Sequence, residues 1–73
     1  MSNTNPRSQI YRHIKTGGLY VVLEWSAIDE ASMIKSVVYR SLADGAVWVR
    51  PHDEFTDGRF KCVPRDELAE MAR

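Results

Sequence analysis

Arg12, Lys15, Arg40 and Arg50 are the residues of this chain whose types and neighbours best suit surface chemistry: Arg12 abuts Tyr11, Arg40 abuts Tyr39, and Arg50 follows Trp48 by two positions. A guanidinium beside an aromatic face is a recurring recipe for stacking on bases and for docking acidic or aromatic partner groups. It is equally a structural device, since carboxylates such as Glu24, Asp53 or Glu54 would hold Arg12 and Arg50 between strands with no ligand at all. His13 sits between Arg12 and Lys15, where it could bind a phosphate or carboxylate or serve as a half-buried hydrogen-bonding residue. The candidate binding set is therefore Tyr11, Arg12, His13, Lys15, Tyr39, Trp48 and Arg50.

Catalytic and metal chemistry have weaker support. His52 follows Pro51 and precedes Asp53 and Glu54, which reads as a turn or capping position. His13, His52 and Cys62 could supply tetrahedral metal ligands together with a carboxylate, but their spacing resembles no chelating motif, and neither a metal nor a cofactor is expected. Cys62 alternates with Phe60 and reads as a small core residue rather than as half of a Cys-His nucleophilic pair. No nucleophile, base and orienting group appear together, so no catalytic residue is assigned and an enzyme is the less favoured reading.

The chain has 73 residues, 44% of them hydrophobic and 27% charged, which is enough for one domain with one thin core. Such a core stabilises a fold by only roughly 3–5 kcal/mol unless something staples it. One cysteine permits no internal disulfide and fits a reducing cytosol. The polar start has no apolar signal region, and no stretch approaches the ~18 apolar residues of a membrane span, so a cytoplasmic protein is expected. The net charge is zero but uneven: +3 from Met1 to Leu23, −2 from Glu24 to Gly45 and −1 thereafter. That balance argues against coating nucleic acid by bulk electrostatics, which scales with the phosphates neutralised, and leaves room for a local basic patch.

Most of these residues fall on expected strands. Residues 1–8, rich in Asn, Ser and Thr, read as a disordered tail. Ile10 to Lys15 reads as a first strand, and Gly17-Gly18 supplies the positive φ of a tight hairpin into a long second strand, Leu19 to Ile28. Alternation there favours Leu19, Val21, Leu23, Trp25 and Ala27 as the core face, with Tyr20, Val22, Glu24, Ser26 and Ile28 half-solvated. Asp29 to Ser32 is a polar loop, Met33 to Leu42 a third strand, Ala43-Asp44-Gly45 a hairpin, and Ala46 to Arg50 a fourth strand ended by Pro51. Pro51 to Phe55 reads as one 3₁₀ turn, and Arg59 to Val63 as a fifth strand. Over residues 64–73, Pro64, the acidic pair Asp66-Glu67 and the spacing of Leu68, Met71 and Ala72 predict a short helix packed on the domain. The fold class is all-β: a small, strongly bent five-stranded SH3-like barrel over residues 9–63 with a short C-terminal helix, an OB-type Greek key being the alternative.

Four motifs occur in order: Tyr11-Arg12-His13-Ile14-Lys15, Gly18-Leu19-Tyr20-Val21-Val22-Leu23, Val37-Val38-Tyr39-Arg40-Ser41-Leu42, and Trp48-Val49-Arg50-Pro51 with Phe55. In this the chain resembles a family of small bacterial and phage domains of unknown function, over about two thirds of its length. The resemblance implies a compact, free-standing β domain and no known substrate, cofactor or catalytic residue. It also implies a histidine and acidic loop after the second strand, where this chain has Trp25-Ser26-Ala27-Ile28 before Asp29-Glu30.

The expected function is a non-enzymatic binding module that engages a protein partner through an aromatic and arginine surface. Self-association is a reasonable further expectation for a thin core with open edges. The alternative is nucleotide or single-stranded nucleic-acid binding through a local basic and aromatic patch.

Overall fold

The computed structural model describes residues 10–64 and Glu67. The expected N-terminal tail lies outside the described residues, and so does the expected C-terminal helix apart from Pro64 and Glu67. Five strands form one antiparallel sheet: β1 (Ile10–His13), β2 (Leu19–Asp29), β3 (Ile34–Ser41), β4 (Val47–Pro51) and β5 (Phe60–Cys62), with one helical turn, α1 (His52–Phe55), between the last two. The sheet order is β4-β3-β2-β1-β5.

The hairpins follow from local chemistry. Gly17 takes φ +79°, and the β1–β2 turn closes with the Gly17 N–H donating to the His13 carbonyl at 2.7 Å. Gly18 is crowded instead, since a Cβ there would stand 3.2 Å from the Tyr20 ring and hydroxyl, which would have to shift by a few tenths of an ångström. Gly45 takes φ +76° in the β3–β4 turn, where the Asp44 carboxylate accepts the Ala46 N–H at 3.0 Å. Met33 ends the β2–β3 turn at φ +60°, in the left-handed region that costs a side-chain-bearing residue roughly 1–2 kcal/mol.

The long second strand bends at two irregularities. Val22 pairs with Tyr39, the next partners are Glu24 with Val38, and then come Ala27 with Ser36, so β2 carries extra residues against β3 at both steps. A bulge of this kind moves the side-chain parity from one face to the other. The expected core face is corrected on the near side of the first bulge, where Val22 is buried, Tyr20 packs against the core and Leu23 is exposed; beyond it Trp25 packs inward, on the expected face. No single alternation spans β2, because the extra residue shifts the count by one between Val22 and Trp25.

The sheet does not close into a barrel. β4 and β5 are its two ends. β4 finishes at Pro51, which has no N–H to offer a ladder, and the chain turns through α1 before reaching β5 beside β1. Aromatic side chains bring the two ends together instead. Phe55 of α1 stacks on Phe60 of β5 with ring centroids 4.2 Å apart and an interplanar angle of 11°, and Tyr39 contacts both rings. Val22, Val37, Tyr39, Phe55 and Phe60 form the buried cluster, with Tyr11, Tyr20 and Trp25 packed around it.

Two smaller expectations are also corrected. The turn before β5 is α-helical rather than 3₁₀, because the Thr56 N–H reaches back four residues to the His52 carbonyl at 3.0 Å. Cys62 is exposed rather than in the core. Alternation breaks at the end of β5, where Val63 turns inward to 1% exposure while its N–H donates to the Ile10 carbonyl.

Truncating Phe55 to Ala removes the ring that joins both ends of the sheet, and a loss of about 3–5 kcal/mol is expected in a urea titration, comparable to the whole stability of so small a core. Met33→Gly should raise stability by about 0.5–1 kcal/mol in the same measurement, because the exposed Met33 side chain loses little packing and the left-handed conformation ceases to be strained.

Candidate functional site

The β1–β2 turn, the end of β4 and the turn before β5 meet at one end of the sheet. Together they line an open pocket of about 460 Å³ with His13, Ile14, Lys15, Arg50 and Arg59. A second depression of about 200 Å³ is bounded by His13 and Arg50 and by the rings of Tyr20, Tyr39, Trp48 and Phe60. His13 and Arg50 belong to both, so a basic compartment and an aromatic compartment adjoin across these two side chains.

Arg50 is held from several directions. Its Nε donates to the Tyr39 hydroxyl at 3.3 Å, its guanidinium carbon lies 5.5 Å from the Phe60 ring centroid, and Nη1 is 3.8 Å from the Glu54 carboxylate one helical turn on. The hydrogen bond to Tyr39 is the main cause that raises the Arg50 pKa above its ordinary value; partial burial opposes it, and Glu54 and Asp57 add to it. Arg59 is braced by Glu54 at 3.4 Å and Asp57 at 3.2 Å. Ion pairs this exposed add little stability, so their effect is to orient the guanidinium groups. His13 sets its ring edge-on to Phe60 at 4.8 Å, and the Thr16 N–H and hydroxyl lie 3.4 and 3.3 Å from its Nδ1. Lys15 makes no ion pair among the described residues.

The seven candidate residues thus divide. His13, Lys15 and Arg50 come together, and Trp48 borders the aromatic depression alone while remaining 54% exposed. Tyr39 is 5% exposed: its ring belongs to the core, and its hydroxyl serves the site by fixing Arg50. Tyr11 contacts Trp25 and Phe55 edge-on beneath the sheet, at 5.4 Å from each. Arg12 pairs with Glu67 at 3.0 Å, not with the carboxylates considered from sequence, whereas Glu54 does pair with Arg50. Arg40 is exposed on β3. Arg59 is the member that sequence reasoning missed. It lies just outside a short strand between Gly58 and Phe60, and only the return of β5 beside β1 brings it to Lys15; the Ile14 N–H donating to the Arg59 carbonyl at 2.9 Å is the contact that does so.

Among the described residues no group of three or more His, Cys, Asp or Glu is placed to hold a metal, and no helix is long and apolar enough to cross a membrane. The arrangement offers donors and cations over an aromatic floor, which suits binding of an anion or of an acidic and apolar surface.

Tyr39→Phe removes the acceptor that fixes Arg50 and should cost about 1 kcal/mol of stability. The Arg50 Nε–H resonance should at the same time lose its distinct chemical shift in a proton–nitrogen correlation spectrum; an unchanged resonance would mean that the hydroxyl does not hold the guanidinium.

The family described as "Protein of unknown function (DUF1653)" matches residues 9–65, which span all five strands. Neither a curated protein nor a solved structure matches the chain.

Proposed function

We propose that this chain, which belongs to the DUF1653 family, is a non-enzymatic cytoplasmic binding module of SH3-like architecture that engages a protein partner along the edge of β4. The SH3-like reading draws on the strand order β4-β3-β2-β1-β5 and on the single helical turn that precedes the last strand. Such a scaffold says nothing of its ligand, which must be argued from the surface.

The observation that carries the reading is β4 itself. It ends the sheet, with β3 as its one ladder partner among the described residues, and Val47, Trp48 and Val49 stand 55%, 54% and 57% exposed in succession. A small protein rarely leaves three consecutive large apolar residues on an unpaired edge, because such an edge invites strand pairing with another chain. Cross-strand pairing puts Trp48 on the face of Tyr39, while Val47 and Val49 lie on the opposite face beside Arg40 and Val38. An extended partner segment adding to this edge would take main-chain hydrogen bonds from β4 and side-chain selectivity from Trp48, Arg50 and the two valines. A second copy of the chain is the competing occupant, and sedimentation at two concentrations separates it from a different protein.

The test is affinity capture from host lysate with the unmodified chain beside Trp48→Ala and the double variant Val47→Lys, Val49→Lys. Exposed substitutions of this kind shift stability by no more than about 0.5 kcal/mol, so each variant should fold. A partner whose recovery falls at least about tenfold with both variants, and whose crosslinks map to β4, supports strand addition. Equal recovery with all three proteins, or no partner and a monomer at every concentration, overturns it.

A further inference from the structure

The geometry points to a second binding capacity beside that edge: a site for a mononucleotide-class ligand, with its phosphate among Lys15, Arg50 and Arg59 and its planar ring against Trp48 and Tyr20. This goes beyond the β4 docking surface: Trp48 and Arg50 are shared with that edge, whereas Lys15 and Arg59 take no part in it.

Charge is the first support. Lys15, Arg50 and Arg59 line one pocket with the ring of His13, contributed by three separate segments of the chain. The acids that face them are Glu54, which touches Arg50 and Arg59, and Asp57, which touches Arg59. Those two carboxylates are engaged in orienting the guanidinium groups. Lys15 has no carboxylate among the described residues, so the pocket retains an excess of positive charge. A planar carboxylate is satisfied by one guanidinium in a bidentate pair, whereas a tetrahedral oxyanion uses donors arriving from several directions, as the three cations here do.

The second support is adjacency. The aromatic compartment shares His13 and Arg50 with the basic one, so a ligand that joins a ring to an anion by a short linker would fill both at once. Trp48 is exposed enough to accept a stacked ring, and base–aromatic stacking is tolerant of base identity. The basic pocket also has the volume of an ordinary small-ligand site, roughly 300–1,000 Å³. Arg50 is pre-oriented by Tyr39, Phe60 and Glu54, which lowers the ordering cost of binding.

Backbone amide shifts followed during titration with inorganic phosphate, adenosine monophosphate and uridine monophosphate at low salt test the assignment. Phosphate alone should bind near about 1 mM with shifts at His13, Lys15, Arg50 and Arg59, and both nucleotides at least about tenfold tighter with added shifts at Trp48 and Tyr20. Lys15→Gln and Arg59→Gln should each weaken all three ligands by about tenfold. Trp48→Ala should bring the nucleotides down to the affinity of phosphate and leave phosphate unchanged. The Val47→Lys, Val49→Lys double variant should bind nucleotide normally, so failure here is distinct from failure of edge docking. The inference is overturned by an absence of shifts, by shifts undiminished in both glutamine variants, or by nucleotides no tighter than phosphate. A single-stranded oligonucleotide whose shifts run beyond the pocket would also overturn it, in favour of a nucleic-acid strand.

Discussion

The stack of Phe55 on Phe60 is the contact on which the rest of this small structure depends. A five-stranded antiparallel sheet with β4 and β5 at its ends has two open margins, and among the described residues no ladder joins them. The two phenylalanines, with Tyr39 touching both, substitute ring contact for main-chain pairing. Aromatic pairs of this kind contribute about 0.5–1.5 kcal/mol each beyond the area they bury, which matters in a core of so few buried residues. The same contact sets the site. Phe60 is the floor on which Arg50 and His13 rest, so the groups that carry chemistry are positioned by the groups that hold the sheet together.

Structure and function are accordingly coupled at Tyr39. Its ring is core and its hydroxyl is the anchor of Arg50, so one side chain ends the hydrophobic interior and begins the polar site. Glu54 and Asp57 play the companion role from the other side, orienting Arg50 and Arg59. An arginine held in this way has already given up much of its rotamer freedom, and a ligand meets a surface that is partly ordered before it arrives.

The bend of β2 shows what simple alternation misses. Tyr20 and Val22 face the core on one side of the first bulge and Trp25 on the other, so an extra residue against β3 reverses the parity midway along the strand and no single alternation describes it. Cys62 fails for a related reason at the end of β5, where Val63 turns inward out of step with Phe60. Bulges depend on which residues of the partner strand lie opposite, and a single strand read by itself carries no record of that.

Five strands, their order along the chain, the hairpin positions at Gly17 and Gly45 and the place of a turn before the last strand were legible from the residues alone, because these rest on near-neighbour propensities and backbone geometry. The sequence also singled out His13, Lys15, Trp48 and Arg50 through their basic and aromatic neighbours. The folded arrangement alone shows that Tyr39 is buried, that Tyr11 packs against Trp25 and Phe55, that Arg59 joins the basic pocket and that the sheet stays open. Each of those outcomes is a long-range contact, set where β5 returns to β1 and where α1 fills the gap between the two ends, and no local spacing encodes the distance between segments far apart in the chain.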